Sequence, residues 1–183
     1  TSNRVGRPDP HTRAEGMTVA ARVFYSIAEA DLAKKALDQV RISNDAIANR
    51  SQRLAYIESL LAARARNGDV AGAMAQLDSA GDLNLKGDPD AEARLIAAIA
   101  SAAAENDVDA ALGVASRIRD PLRRLGAIAS VARKLSRAGQ WQAASDAWNA
   151  AMQEDIAGST RKCLADFALS QVRAGLLEDA KRT

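Results

Sequence analysis

Residues 128–151 read IASVARKLSRAGQWQAASDAWNAA. Two helical patterns meet here at Ala138-Gly139-Gln140. The first carries apolar residues at Ile128, Val131 and Ala132, and the second at Trp141, Ala144, Trp148 and Ala151. Intervals of three and four residues place each set on one helix face. Gly at the break suits a helix C-terminus, where the chain turns through a left-handed residue. The stretch predicts two antiparallel helices joined by a tight turn.

The same arrangement returns along the chain. Anchored on Ala144, it repeats at Ala73, Ala111 and Ala180, with an earlier unit at Ala33. Five residues before the anchors stand Gly139, Gly68, Asn106 and Gly175, with Ala28 in the first unit. Sixteen before stand Ile128, Ile57, Leu95 and Leu164; three before stand Trp141, Val70, Val108 and Leu177; four after stand Trp148, Leu77 and Ala115. The anchors are 40, 38, 33 and 36 residues apart. The two longest spacings contain connectors at 41–44 and 81–90, where extra residues cost little.

Composition agrees. Of 183 residues 42 are Ala, while aromatics are 3% and Pro only 4 residues, which argues against a β-sandwich, a barrel or a collagen-like chain. Ala, Leu, Arg and Glu are strong helix formers. The expected fold class is all-α. Residues 1–12 hold two prolines without apolar periodicity and read as a flexible tail, leaving 13–183 as a single helical repeat domain.

Position by position, the pattern resembles the tetratricopeptide repeat family, whose period is about 34 residues. Ile57, Leu95, Ile128 and Leu164 match its large residue opening the first helix; the anchor alanines match its small residue in the second. Leu61 and Ile99 depart from a small residue of the first helix, and the closing Pro of the repeat is absent. The resemblance spans roughly residues 15–183. It implies a right-handed superhelical α-solenoid of about five antiparallel helix pairs, the last incomplete because the chain stops three residues after Ala180.

In that family the first helices line a concave groove. Carried over by position, the lining includes Arg22 and Tyr25 in the first unit and Arg66 in the second. Ile96 follows in the third, then Arg133 and Arg137, and finally Leu169 and Arg173. Arg133 and Arg137 are four apart and share a helix face. The expected function is a non-catalytic protein-interaction scaffold whose groove takes a partner protein, or an acidic or C-terminal peptide, through charge-assisted hydrogen bonds. An alternative is a structural protein that self-assembles by stacking its uncapped end on another copy, giving a homo-oligomer.

Other chemistries find little footing. His11 is the one histidine and lies in the tail, so a Ser–His–Asp, Cys–His or histidine-based zinc arrangement lacks partners. Cys163 reads as a small core residue and can form no internal disulfide. Residues 82–90 have the oxygen spacing of a calcium loop in part, but Lys86 and Ala93 stand where ligands belong, and Asp88 or Asp90 fits a helix N-cap better. Trp141 and Trp148 fall on apolar repeat positions and read as core. No cofactor or metal is expected. Lys and Arg total 25 against 23 Asp and Glu, too even a balance for a nucleic-acid binder. No apolar run approaches the ~20 residues of a membrane span. The start at Thr1 reads as a processed chain or fragment, compatible with cytoplasm or periplasm.

Overall fold

A computed structural model describes residues 49–79 and 85–152 continuously, together with positions 12, 16–17, 19–20, 23–24, 32, 35–36, 165, 168–169, 171–173, 175 and 177–182. Helix starts in the continuous part are set by short polar side chains. Asn49 caps α1 (Arg50–Arg66), accepting from Ser51 N at 2.9 Å. Asp69 caps α2 (Val70–Asp78) through Gly72 N at 3.0 Å. Asp88 caps α3 (Pro89–Ala103) through Ala91 N at 3.0 Å, and Asp107 caps α4 (Val108–Ala115) through Ala110 N at 2.9 Å. Asp120 caps α5 (Pro121–Arg137) through Arg123 N at 2.8 Å. Each carboxylate or amide satisfies an N–H that the first helical turn leaves open. Pro89 and Pro121 begin their helices, where a missing N–H costs nothing. Two further helices are α6 (Trp141–Met152) and α7 (Leu177–Arg182).

The turns fall where the glycines stand. Gly68, Gly139 and Gly175 have φ of +83°, +75° and +79°. At the first two, paired bonds close the helix end: Gly68 N to Ala65 O (3.0 Å) with Asp69 N to Arg64 O (3.0 Å), then Gly139 N to Ser136 O (3.2 Å) with Gln140 N to Leu135 O (3.0 Å). This is the Schellman pattern, which needs a left-handed residue. At the third break, Asn106 and Asp107 both bond Ala103 O, at 3.0 and 2.9 Å. The connector before α3 contains a 3₁₀ turn, Leu85–Gly87, whose Leu85 is buried. Asp88 takes the capping role expected of the Asp88/Asp90 pair.

The described residues are helical, with no strand among them. α1, α3 and α5 are consecutive neighbours; α2 packs on α1 and α3, α4 on α3 and α5, and α6 on α5. α3 therefore has neighbours on most of its circumference. Most of the repeat positions read from the sequence are the core, although Val70, Val108 and Trp141, the last of which also reads as core in the sequence, are only half-buried. Ala73, Ala111 and Ala144 are each 0% exposed, as are Leu61, Ile99 and Trp148. Alanine lets the paired helix backbones approach closely, and the bulk at Leu61, Ile99 and Trp148 fills the space around the crossings. A second cluster joins Leu60 to Ala36, Met17 and Phe24, so residues of the first unit pack on α1.

Two outcomes follow from this packing and capping. Ala111→Leu should lower the unfolding free energy by about 1–3 kcal/mol through overpacking, whereas Ala75→Leu, at an exposed site on α2, should be near neutral; urea unfolding with unchanged m-values checks both. The second concerns acid. The backbone N–H of Ala91, and then the hydrogen bond from Arg50, hold the Asp88 carboxyl below its ordinary value. The folded state thus binds its proton less readily than the unfolded chain. The resulting stability is complete above the unfolded carboxylate pKa and is lost as pH falls through the lower folded one. Melting curves of wild type and Asp88→Asn, which keeps a capping side chain, should differ at neutral pH and converge in acid.

Candidate functional site

Charged side chains tie the units together on the surface. At the N-terminal ends of the first helices, Arg50 Nη2 meets Asp88 Oδ2 at 2.9 Å and Arg123 pairs with Asp90. Farther along, Arg94 Nε donates to Glu58 Oε2 at 2.7 Å, joining α3 to α1. Arg117, after α4, reaches Asp78 at the end of α2 at 2.8 Å. At the C-terminal ends, Glu105 takes two cations: Arg66 Nε at 3.5 Å and Lys134 Nζ at 2.6 Å. The Asn106 amide also donates to the carbonyl of Arg66. A single carboxylate thus sits between cations of α1 and α5.

Against this framework the arginines chosen from sequence separate. Arg66 is neutralised by Glu105. Arg133 is exposed on α5 and is engaged within the chain. Arg137 is exposed in the last turn of α5 and makes no ion pair among the described residues. Arg173 is exposed, and its guanidinium lies over the ring of Trp141, 5.9 Å from the centroid. That distance is within cation–π range. Trp141 is accordingly half-buried, while Trp148 is fully enclosed. Leu169 is 48% exposed. Arg22 and Tyr25 lie outside the described residues, as do His11 and Cys163.

Ile96 requires a correction. It is 3% exposed and is not part of an open wall. Ala100, Ala103 and Ala104 are buried beside it, as are Ala129 and Ser136 on α5. α3 packs against α1, α2, α4 and α5, which leaves these of its positions buried although the family comparison turns them toward a groove. On α3 the small uncovered side chains are instead Ala98 and Ser101, whereas on α1 and α5 the groove positions Ala62, Arg66, Arg133 and Arg137 stay exposed or half-exposed, beside Ala55 and Ser59 on α1 and Gly126 and Ser130 on α5. The Glu58–Arg94 and Arg66–Glu105–Lys134 pairs join these helices to one another.

Ile96 instead borders a cavity of about 420 Å³ between the start of α3, the connector Arg117–Asp120 and Arg123. Its floor includes Ala93, Ile96 and Ile118, and its rim carries Glu92, Arg117, Arg119 and Arg123. Sequence reasoning missed it, although Arg117-Ile118-Arg119-Asp120 is a charged connector with an isoleucine at its centre. Arg117 and Arg123 are already held by Asp78 and Asp90, and Arg124 Nη1 fixes the connector by donating to Ile118 O at 2.9 Å.

Among the described residues no group of three His, Cys, Asp or Glu side chains is placed to hold a metal, and no helix is long and apolar enough to cross a membrane. Comparison with protein-family models, with curated proteins and with solved structures returns no match to this chain. The geometry of its own side chains is therefore what a functional reading has to stand on.

Proposed function

We propose that this chain is a non-catalytic protein-interaction scaffold, an α-solenoid of tetratricopeptide type that binds a partner protein or peptide along its first helices. The observation that carries the reading is that α1, α3 and α5 are consecutive neighbours and each keeps small side chains and arginines exposed or half-exposed. Ala, Ser and Gly on these helices let a partner backbone come close, and they leave no large apolar surface to be covered in the free protein. The exposed arginines supply charge-assisted hydrogen bonds to acidic groups of the partner. A single histidine in the whole chain fits a binding role better than acid–base catalysis.

A second reading, self-association, is favoured by a separate observation. Leu169, Val172 and Leu177 are 48%, 47% and 56% exposed, and Val19 and Val23 are 54% and 52% exposed. Apolar side chains of this size left open toward both ends of the array suit a contact between copies.

Selection of a displayed random-peptide library tests the first reading. Selected peptides should lose affinity by about tenfold or more on the variant carrying Ser101→Tyr and Ser130→Tyr, with helicity by circular dichroism unchanged. Equal binding to that variant, or no enrichment above a scrambled library, would overturn it. Sedimentation velocity over a wide concentration range tests the second. A mass that rises with concentration and falls back in the Leu169→Asp, Leu177→Asp double variant supports self-association, and a strict monomer removes it.

A further inference from the structure

We infer that Arg137, Arg173 and Trp141 form a receptor site for the carboxylate of an acidic peptide segment, which rests on the reading of the chain as an interaction scaffold. Three arginines hold equivalent places. Arg66, Arg137 and Arg173 each stand two residues before a glycine with φ near +80°: Gly68, Gly139 and Gly175. A cation in the last helical turn complements the helix dipole, which accounts for all three. It does not account for how differently their charges are met.

Beside Arg66 the fold supplies its own acid. Glu105 lies six residues before the anchor Ala111, in the unit that follows Arg66, and spans from Arg66 to Lys134. The same position in the unit that follows Arg137, six before Ala180, is Ala174. The built-in carboxylate has been replaced by a methyl group. Arg137 is left without an ion pair among the described residues, and Arg173 is met by an aromatic ring rather than an acid. That ring is particular to this unit, because the position of Trp141 is held by Val70 and Val108 in the two units before it.

A guanidinium lying over an indole spends its face on the ring and keeps its edge N–H groups for an acceptor. Stacking restricts the plane of Arg173, which favours a bidentate carboxylate. Arg137 stands four residues before Trp141, across the Gly139 turn, and adds a second cation that makes no ion pair among the described residues. At Glu105 the fold seats one carboxylate between a last-turn arginine, Arg66, and a cation of another unit, Lys134. An acidic side chain from a partner would supply the carboxylate that the sequence does not provide at this repeat position.

Trp141 is also the reporter, because Trp148 is the one other tryptophan and is 0% exposed. A blocked tetraglutamate peptide, titrated at low salt, should give a saturable change in tryptophan fluorescence that weakens as salt is added. The signal should vanish in Trp141→Phe. Affinity should fall by about tenfold or more in Arg137→Gln, in Arg173→Gln and in Ala174→Glu, which restores an internal acid; circular dichroism confirms that each variant is folded. An equal response to blocked tetraglutamine, or unchanged affinity in both glutamine variants, overturns the proposal. So does tighter binding of a short oligothymidylate, which would make the site a phosphate receptor. Library peptides that bind wild type and are blocked by Ser101→Tyr and Ser130→Tyr, beside a silent tetraglutamate titration, would remove the carboxylate site alone. Tetraglutamate binding without any selected peptide would remove the open first-helix face alone.

Discussion

Everything in this molecule depends on the absence of bulk where helices cross. Ala73, Ala111 and Ala144 are each completely enclosed, and around them lie further alanines at Ala65, Ala103, Ala115, Ala132, Ala147 and Ala151. A chain with so few aromatic residues cannot fill wide gaps between helices, so it closes the gaps instead. Close approach of backbones increases the number of dispersion contacts per residue and leaves little room for error. The few large core side chains, Leu60, Leu61, Leu95, Ile99, Val131, Leu135 and Trp148, are each at most 1% exposed.

Tight packing of small residues supplies little chemical variety, and the surface charges supply it. Glu58–Arg94, Arg50–Asp88, Arg123–Asp90 and Arg117–Asp78 all join residues of successive units. Each such exposed pair contributes only about 0–1 kcal/mol. Their larger consequence is to decide which charges remain available to a partner. Arg66 and Lys134 are consumed by Glu105. Arg137 and Arg173, set at equivalent helix ends, meet no acid among the described residues.

The interhelix turns connect these two levels. A glycine in the left-handed region ends α1 and α5 sharply, and each of these helices carries an arginine in its last turn. At Asn106 the break lacks this glycine, and the preceding turn carries Ala103 and Ala104 rather than a cation. Turn chemistry and the placement of surface charge are therefore set by the same few residues.

Local rules made much of this legible in the sequence. The helix cap at Asp88, glycine stops at Gly68 and Gly139, and the buried repeat positions from Ile57 to Trp148 follow from intervals of three and four residues and from the short reach of capping side chains. The open face of α3 did not follow. Ile96 looks suited to a groove wall by repeat position, but the packing of α3 among its neighbours buries it and leaves Ala98 and Ser101 half-exposed. The quenching of Arg66 by Glu105 and the stacking of Arg173 on Trp141 were equally out of reach, because each joins residues more than thirty positions apart. The sequence by itself determined where helices begin, end and turn their apolar sides, since those depend on neighbours within a turn. Only the tertiary structure decided which polar side chains meet one another, since that depends on how successive helices are set against each other in space.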